Sequence, residues 1–161
     1  FMTDIDFKSS KTGILLLSHG SKLPQGKYVI EAYVNMFKVD YPDAIIDYAF
    51  MESREPTIPQ SIAKLAENND LERIIVVPVF VAHGLHTKRD IPKILGIESD
   101  FNEQETHSHE HHHHDHDHGH HHHHHHDVET ADFDGEIILT DPLGIDTRLY
   151  KIIKERVEDN F

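Results

Sequence analysis

The 161-residue sequence contains no cysteine, which excludes a disulfide framework and any metal site built on thiolates. Long hydrophobic runs are also absent, because the apolar residues fall into short stretches such as residues 13–17, 45–51 and 74–81. None approaches the roughly 20 residues that a membrane helix needs. We therefore expect no membrane association. Because no amino-terminal stretch has the pattern of a secretion signal, we also expect a cytoplasmic protein.

Basic residues are scarce, and they are unevenly distributed. The chain has 15 Lys and Arg against 29 Asp and Glu, a formal net charge of −14. Ten of the acidic residues lie between positions 100 and 134, where there is no Lys or Arg, so the remainder of the chain has a net charge of only −4. A net negative protein repels nucleic acid, which we therefore do not expect as a partner.

Apolar runs and helical spacings alternate along the chain. Strands are predicted at residues 13–17, 44–51, 73–80 and 137–139, and helices from Pro24, after Pro59, at residues 91–97 and at residues 146–157. The apolar positions of the helices are Val29, Ile30, Tyr33, Val34, Phe37, Ile62, Ala63, Leu65, Ala66, Leu149, Ile152, Ile153 and Val157. This order favours an α/β fold with a flavodoxin-like, doubly wound, parallel four-stranded sheet, formed as one domain over residues 13–157.

A segment of low complexity interrupts this pattern at residues 99–134. Residues 107–126 contain fifteen of the 18 histidines of the chain, interleaved with Glu110, Asp115 and Asp117. Such a sequence cannot bury enough apolar surface to offset its ordering entropy, so we expect a disordered insertion within the domain. Its imidazoles and carboxylates offer many overlapping sites for nickel, cobalt or zinc.

Two histidines lie in the loops that follow predicted strands. His19 comes after the first strand and His83 after the third, and parallel topology brings both to the edge where the strands end. Two neutral imidazoles suit cobalt, nickel, iron or zinc, and each can take up a proton near neutral pH. The alternative is that each is an ordinary structural or solvent-exposed loop histidine.

The loop after the second strand contains two carboxylates, Glu52 and Glu55, and it opens onto the same edge. A carboxylate there could accept a proton or complete the coordination of a metal. Alternatively, Glu55 is a charge at a helix amino end and Glu52 a solvated side chain.

The sequence resembles the short archaeal CbiX-type sirohydrochlorin chelatases. The resemblance covers roughly residues 13–157 and depends on four motifs, a Pro-Leu-Gly segment and the histidine tract. The motifs are Leu-Leu-Ser-His-Gly-Ser at 16–21, Phe-Met-Glu with Glu-Pro-Thr-Ile-Pro at 50–59, Val-Val-Pro-Val-Phe-Val-Ala-His-Gly at 76–84 and His-Thr-Lys-Arg-Asp-Ile-Pro at 86–92.

The resemblance implies a chelatase that inserts Co²⁺ or Ni²⁺, as the substrate metal, into a sirohydrochlorin-type tetrapyrrole without an organic cofactor. It implies that His19 is the proton acceptor and a metal ligand, and that His83 is the second ligand. It also places a substrate-facing surface at Glu55, Glu52, Pro78, Val79, Phe80, Val81, Ala82 and His83. Because longer relatives contain two such domains, it implies a homodimer.

Two other functions compete with this one. The histidine tract could be the whole function, which would make the chain a metal store or metallochaperone for nickel or cobalt on an inert α/β domain. A phosphatase or mutase site at Ser18, His19 and Gly20 is disfavoured, because the glycine-rich loop that cradles phosphate is missing. The sequence leaves open the physiological metal and the pathway, which could lead to cobalamin or to a nickel tetrapyrrole coenzyme.

Overall fold

A computed structural model describes residues 5–67, 69–99 and 129–161 of the chain. The strands are β1 (Thr12–Ser18), β2 (Ile45–Phe50), β3 (Arg73–Pro78) and β4 (Glu136–Leu139). The helices are α1 (Phe7–Ser10), α2 (Pro24–Asp40), α3 (Ile58–Glu67), α4 (Leu85–Leu95) and α5 (Thr147–Glu158). The predicted disorder of the histidine tract concerns positions outside the described residues. Within the described ranges, no helix is long and apolar enough to cross a membrane.

The four strands form one parallel sheet in the order β2, β1, β3, β4. The register places Leu15 of β1 beside Asp47 of β2 and Val76 of β3. The predicted parallel four-stranded sheet is therefore confirmed. All four strands end at one edge, so the loops that follow them are brought together there.

Strand β1 is central and almost completely buried, because helices cover both faces of the sheet at that strand. Leu15 and Leu17 contribute to a core formed with α3 and α4, whereas Ile14 and Leu16 contribute to a second core with α1 and α2. Residues at alternating positions of a strand point to opposite faces, and this explains the division.

The helix before the histidine tract is longer than predicted. The sequence pattern indicated a short helix over residues 91–97, but α4 begins at Leu85, after Gly84 as its N-cap, and continues through Pro92. The polar first turns and the proline conceal this helix in the sequence, because both weaken the apolar pattern that predicts helices. As a consequence, His86 lies in a helix near the site and not in a loop.

Two other helices also differ from the expected packing. The short helix α1 was not predicted, yet Phe7 is buried against the rings of Phe37 and Tyr41 at centroid distances of 5.7 and 5.2 Å. In α3, Ser61 is buried and Ala63 is exposed, because the Ser61 hydroxyl donates a 2.6 Å hydrogen bond to the Tyr48 carbonyl. The buried face of α3 therefore includes Ser61 in place of the predicted Ala63.

The last helix, α5, forms where the sequence predicts it but does not cover the sheet. No residue of α5 is buried; Tyr150, Ile152, Ile153 and Val157 are exposed, and Leu149 is partly buried. The apolar spacing of this helix would predict that it closes the sheet of its own chain, and this packing is not observed.

Candidate functional site at the carboxyl edge of the sheet

The loops after β1 and β2 are held together by backbone contacts. The Met51 amide donates a 2.9 Å hydrogen bond to the Ser18 carbonyl. Gly20 has φ +101°, and a Cβ at this position would lie 1.9 Å from the carbonyl oxygen of Glu52. Only glycine allows so close an approach together with this backbone conformation. Gly20 thereby places His19 and Glu52 side by side.

The Glu52 carboxylate lies between two imidazoles. Its Oε1 is 3.5 Å from Nδ1 of His19, and its Oε2 is 3.4 Å from Nε2 of His86. All three side chains remain about half exposed, so a ligand can reach them from solvent. Imidazole nitrogens and carboxylate oxygens are donor types that suit a borderline divalent metal, and the same groups can accept and release protons.

His86 also has a carboxylate on its other ring nitrogen. Oδ2 of Asp90, one helical turn later in α4, lies 2.5 Å from Nδ1 of His86. Nη2 of Arg89 is 3.4 Å from the same nitrogen, but so short a contact to a carboxylate requires a proton between the two atoms. Nδ1 is therefore the donor to Asp90, and in the neutral ring Nε2 keeps its lone pair. Metal-binding histidines commonly have this support.

His83 occupies a different environment. Its Nδ1 is 3.0 Å from the Thr87 hydroxyl, and that hydroxyl donates to the Gly84 carbonyl, so Nδ1 of His83 is the donor. Burial, and then the charge of Lys88, lower the pKa of His83, against an opposing effect of Asp141. At neutral pH His83 is therefore uncharged, with Nε2 available as a base or ligand.

Phe80 contacts both histidines that the sequence paired. Its ring contacts His19 edge-on at a centroid distance of 6.4 Å and His83 at 5.7 Å. His83 also lines a cavity of about 230 Å³ together with Lys88, Thr140 and Asp141. The structure thus brings His19 and His83 to the same edge, where both contact the ring of Phe80.

The other predicted site residues lie around this edge. Glu55 accepts a 3.2 Å hydrogen bond from Gln60 at the start of α3, whereas Glu52 faces the two histidines. Pro78 is buried at the end of β3, and Val79 donates its amide to the Leu17 carbonyl at 2.8 Å. Val81 and Ala82 are exposed.

His86 is the residue that sequence reasoning missed as part of the site. Its signal was available, since His86 and Asp90 are four residues apart and a helix places such residues on one face. In the part of the chain that the structure describes, no group of three or more His, Cys, Asp or Glu side chains is arranged to hold a metal ion. A metal at this site would therefore need ligands beyond the side chains as they stand.

The fold and the site together define a parallel α/β protein with a histidine and carboxylate site beyond the carboxyl ends of its strands. The family model of CbiX matches residues 13–160. The chain belongs to the CbiX family.

Relatives from methanogenic archaea match almost the full chain. The sirohydrochlorin cobaltochelatase of Methanothermobacter thermautotrophicus is 48% identical over 150 residues, covering 92% of both chains. The protein of the same name from Methanocaldococcus jannaschii is 49% identical over 143 residues, covering 89% of this chain and 95% of its own. That from Methanopyrus kandleri is 40% identical over 146 residues, covering 91% and 94%.

A solved structure shares the fold. The crystal structure of a putative cobalamin biosynthesis CbiX protein from Marinobacter aquaeolei superimposes with a TM-score of 0.58 and 21% sequence identity, and covers 92% of this chain and 93% of its own. This likeness supports the parallel α/β architecture.

Proposed function

We propose that this protein is a metal chelatase that inserts Co²⁺ into sirohydrochlorin. The observation that carries the proposal is the position of Glu52, whose two carboxylate oxygens face His19 and His86 at the open edge of the sheet. Metal insertion needs weakly held metal next to groups that accept the two pyrrole protons. The names of the archaeal relatives support the same reaction and substrate.

In this proposal His19 and His86 hold the incoming metal, and His19 and Glu52 receive protons from the macrocycle. The contact between His86 and Asp90 fixes the ring so that its Nε2 lone pair faces the site. Both histidines are about half exposed, which leaves coordination positions for the substrate nitrogens.

The role predicted for His83 as second metal ligand stays a prediction. The contacts of the described residues favour His86 for that role, because His86 shares a carboxylate with His19 and His83 does not. His83, uncharged at neutral pH and in contact with Phe80, is better suited to receive a proton or to face the macrocycle.

The loops around the site offer a surface for a planar, polycarboxylate macrocycle. Leu23, Val81 and Leu85 are exposed apolar side chains at this edge of the sheet. Positive charge comes from Arg54, whose guanidinium donates to the Leu23 carbonyl at 2.9 Å. Lys22, Lys88 and Arg89 complete the basic residues that we expect to attract the substrate carboxylates.

The proposal also covers the location, the partners, the alternative metal and the pathway. The enzyme works in the cytoplasm as a homodimer, needs no organic cofactor, and binds neither nucleic acid nor membrane. Ni²⁺ is a second candidate substrate metal, since it lies next to Co²⁺ in the affinity order for nitrogen and oxygen ligands. The pathway served is one that begins with a metallated sirohydrochlorin.

The test is an absorbance assay of metal insertion with sirohydrochlorin and Co²⁺ or Ni²⁺ supplied separately. We expect turnover with Co²⁺ by the wild-type protein and loss of turnover in His19→Ala and in His86→Ala. Circular dichroism should show an unchanged fold, because both side chains are about half exposed at the edge of the sheet.

The His83→Ala variant separates the two assignments. Residual activity in His83→Ala with none in His86→Ala supports the site around Glu52. Residual activity in His86→Ala with none in His83→Ala supports the pair of His19 and His83 that the sequence predicted. Full turnover in both His19→Ala and His86→Ala would falsify the proposed site.

The second candidate function is metal storage by residues 107–126. The fifteen histidines of this tract favour it, because their number far exceeds what one catalytic site needs. We propose that the tract is a reservoir which raises the local metal concentration for the chelatase. A variant lacking the tract that retains turnover would separate the enzyme from a pure storage protein.

A further inference from the structure

Arg54 is held in place from two sides at the edge of the sheet where the strands end. Its Nη1 donates a 2.9 Å hydrogen bond to the Leu23 carbonyl in the loop after β1, and its guanidinium carbon lies 5.9 Å from the centroid of the Phe50 ring at the end of β2. Within the described ranges it is the one arginine that is partly buried. The exposed arginines of these ranges are Arg73, Arg89, Arg148 and Arg156. A guanidinium fixed in this way loses little freedom when it binds a ligand.

No carboxylate of the described residues forms an ion pair with Arg54. Its two acidic neighbours in the same loop are engaged elsewhere, since Glu52 faces His19 and His86 and Glu55 accepts a hydrogen bond from Gln60. The chain has 29 acidic residues against 15 basic ones, so a carboxylate partner is not scarce. Among the described residues the Nε and Nη2 donors of Arg54 have no acceptor, and they remain available to a ligand.

The backbone between Glu52 and Arg54 has a conformation that few residues adopt. Ser53 has φ +67°, in the left-handed region that is uncommon for residues other than glycine. Such strain persists where the surrounding structure enforces it, and it is concentrated at functional sites. On one side of Ser53 the carboxylate of Glu52 reaches the histidines, and on the other side Arg54 reaches Leu23. The strained residue therefore connects the proposed proton acceptor to an unpaired cation.

The other positive charges near this edge differ from Arg54 in kind. Lys22 and Lys88 are exposed. A lysine ammonium on a flexible stem attracts an anion from a distance but does not fix its orientation. A guanidinium presents donors in a planar fork that matches both oxygens of a carboxylate.

We propose that Arg54 binds one peripheral carboxylate of the macrocycle directly and thereby sets the orientation of the ring over His19 and Glu52. This inference rests on the proposed function and names a residue that determines the specificity of that site. Leu23, which is 65% exposed, offers an apolar surface for the ring beside the guanidinium. Lys22 and Lys88 then attract the substrate, and Arg54 orients it.

The first test measures the binding of metal-free sirohydrochlorin through the change in its fluorescence. Arg54→Gln should bind about 10- to 100-fold more weakly than the wild type, the factor expected for a lost hydrogen bond to a charged group. The matched control is Arg73→Gln, an exposed arginine at the amino end of β3, which should bind like the wild type. Equal affinities of all three proteins, or equal losses in both variants, would overturn the proposal.

Arg54→Lys separates a direct contact from general attraction. This variant keeps the positive charge but loses the planar fork, so we expect its affinity to fall well below that of the wild type. Wild-type affinity in Arg54→Lys would show that charge alone is sufficient, and this result contradicts a contact that orients the ring.

A structural role for Arg54 predicts a different kinetic pattern, because its hydrogen bond to Leu23 also links two loops. For a substrate contact, Arg54→Gln should raise the KM for sirohydrochlorin and leave the KM for Co²⁺ and the urea midpoint unchanged. A parallel rise of both KM values together with a lower urea midpoint would assign Arg54 to loop stability and overturn the proposal.

The binding assay needs no metal insertion, so the failure of this inference can be told from failure of the proposed function. Tight binding that depends on Arg54 but leads to no insertion of Co²⁺ or Ni²⁺ contradicts the chelatase and leaves the contact intact. Full insertion with unchanged affinity in Arg54→Gln contradicts the contact and leaves the chelatase intact. A wild type that binds no sirohydrochlorin contradicts both.

Discussion

Asp90 holds His86 by a contact of 2.5 Å between Oδ2 and Nδ1, from one helical turn further along α4. Because the other nitrogen of His86 faces Glu52, this contact determines which nitrogen is available to a metal. The carboxylate acts through the histidine and is therefore a positioning residue.

Replacing Asp90 with Asn should impair the reaction with Co²⁺ more than it lowers the stability of the fold. Carboxylates behind metal-binding histidines typically contribute about 10- to 100-fold to metal affinity or activity. We expect the KM for Co²⁺ to rise within that range, with a smaller change in kcat. Initial rates at varied Co²⁺ concentration measure both quantities.

The matched control is Asp43→Asn, an exposed carboxylate before β2 at the opposite edge of the sheet. It should leave the KM for Co²⁺ unchanged. An equal effect of the two substitutions would mean that Asp90 acts through its negative charge alone and not through its contact with His86.

Adding a methyl group at Gly20 should separate His19 from Glu52. A Cβ there would lie 1.9 Å from the Glu52 carbonyl oxygen, and the backbone conformation at φ +101° disfavours any other residue. We expect Gly20→Ala to lose most of its turnover and some stability, measured by the absorbance assay and by urea unfolding.

Gly84→Ala is the control for this prediction, since a Cβ at Gly84 meets nothing within 4 Å. It lies close to the same site, at the N-cap of α4. Similar activity losses in both variants would indicate that any change near the site is harmful, and would remove the argument for a close approach at Gly20.

The lowered pKa of His83 predicts a pH dependence of stability. Burial disfavours the charged ring, so the folded chain binds fewer protons than the unfolded chain between the folded pKa and 6.5. Stability contributed by neutral His83 is complete above 6.5 and decreases as pH falls through this window.

His83→Asn keeps a donor near Thr87 but cannot titrate. Urea midpoints from pH 7.5 to pH 5 should show the wild type losing stability relative to this variant as the pH falls below about 6.5. A constant difference across that range would mean that His83 does not titrate differently in the folded chain.

Helix α1 should stabilise the fold through Phe7. Its ring is 6% exposed and packs against Phe37 and Tyr41. Phe7→Ala should lower the free energy of unfolding by about 3–5 kcal/mol, the usual range for a buried phenylalanine. The exposed Ile5 provides the control, because Ile5→Ala should change little in the same urea titration.

Deleting residues 107–126 should affect turnover only when metal is scarce. With saturating Co²⁺ the rate should match the wild type, whereas limiting Co²⁺ or Ni²⁺ should reveal a deficit. Imidazoles bind metal only when neutral, so this deficit should shrink as pH falls through about 6.5. Superimposable metal titrations of both proteins at pH 7.5 would exclude the reservoir.

The sheet and its order of elements could be predicted from the sequence because local patterns encode them. The apolar run at residues 13–17 corresponds to a strand buried on both faces, and His19 and Glu52 directly follow strands that parallel pairing brings to one edge. The helical spacing of the apolar residues also predicted α5.

Other features depend on contacts between distant parts of the chain, which no local pattern contains. The pairing of His86 with Glu52 required α4 to begin six residues earlier than its apolar pattern indicated, and the choice of Glu52 over Glu55 depended on how closely Gly20 approaches the loop after β2. The sequence by itself determined the four strands, the helices α2, α3 and α5, and which strand ends carry histidine and carboxylate. Only the tertiary structure decided which of these side chains meet, and that most apolar side chains of α5 are left exposed, because both follow from the geometry of packed elements and not from the order of residues.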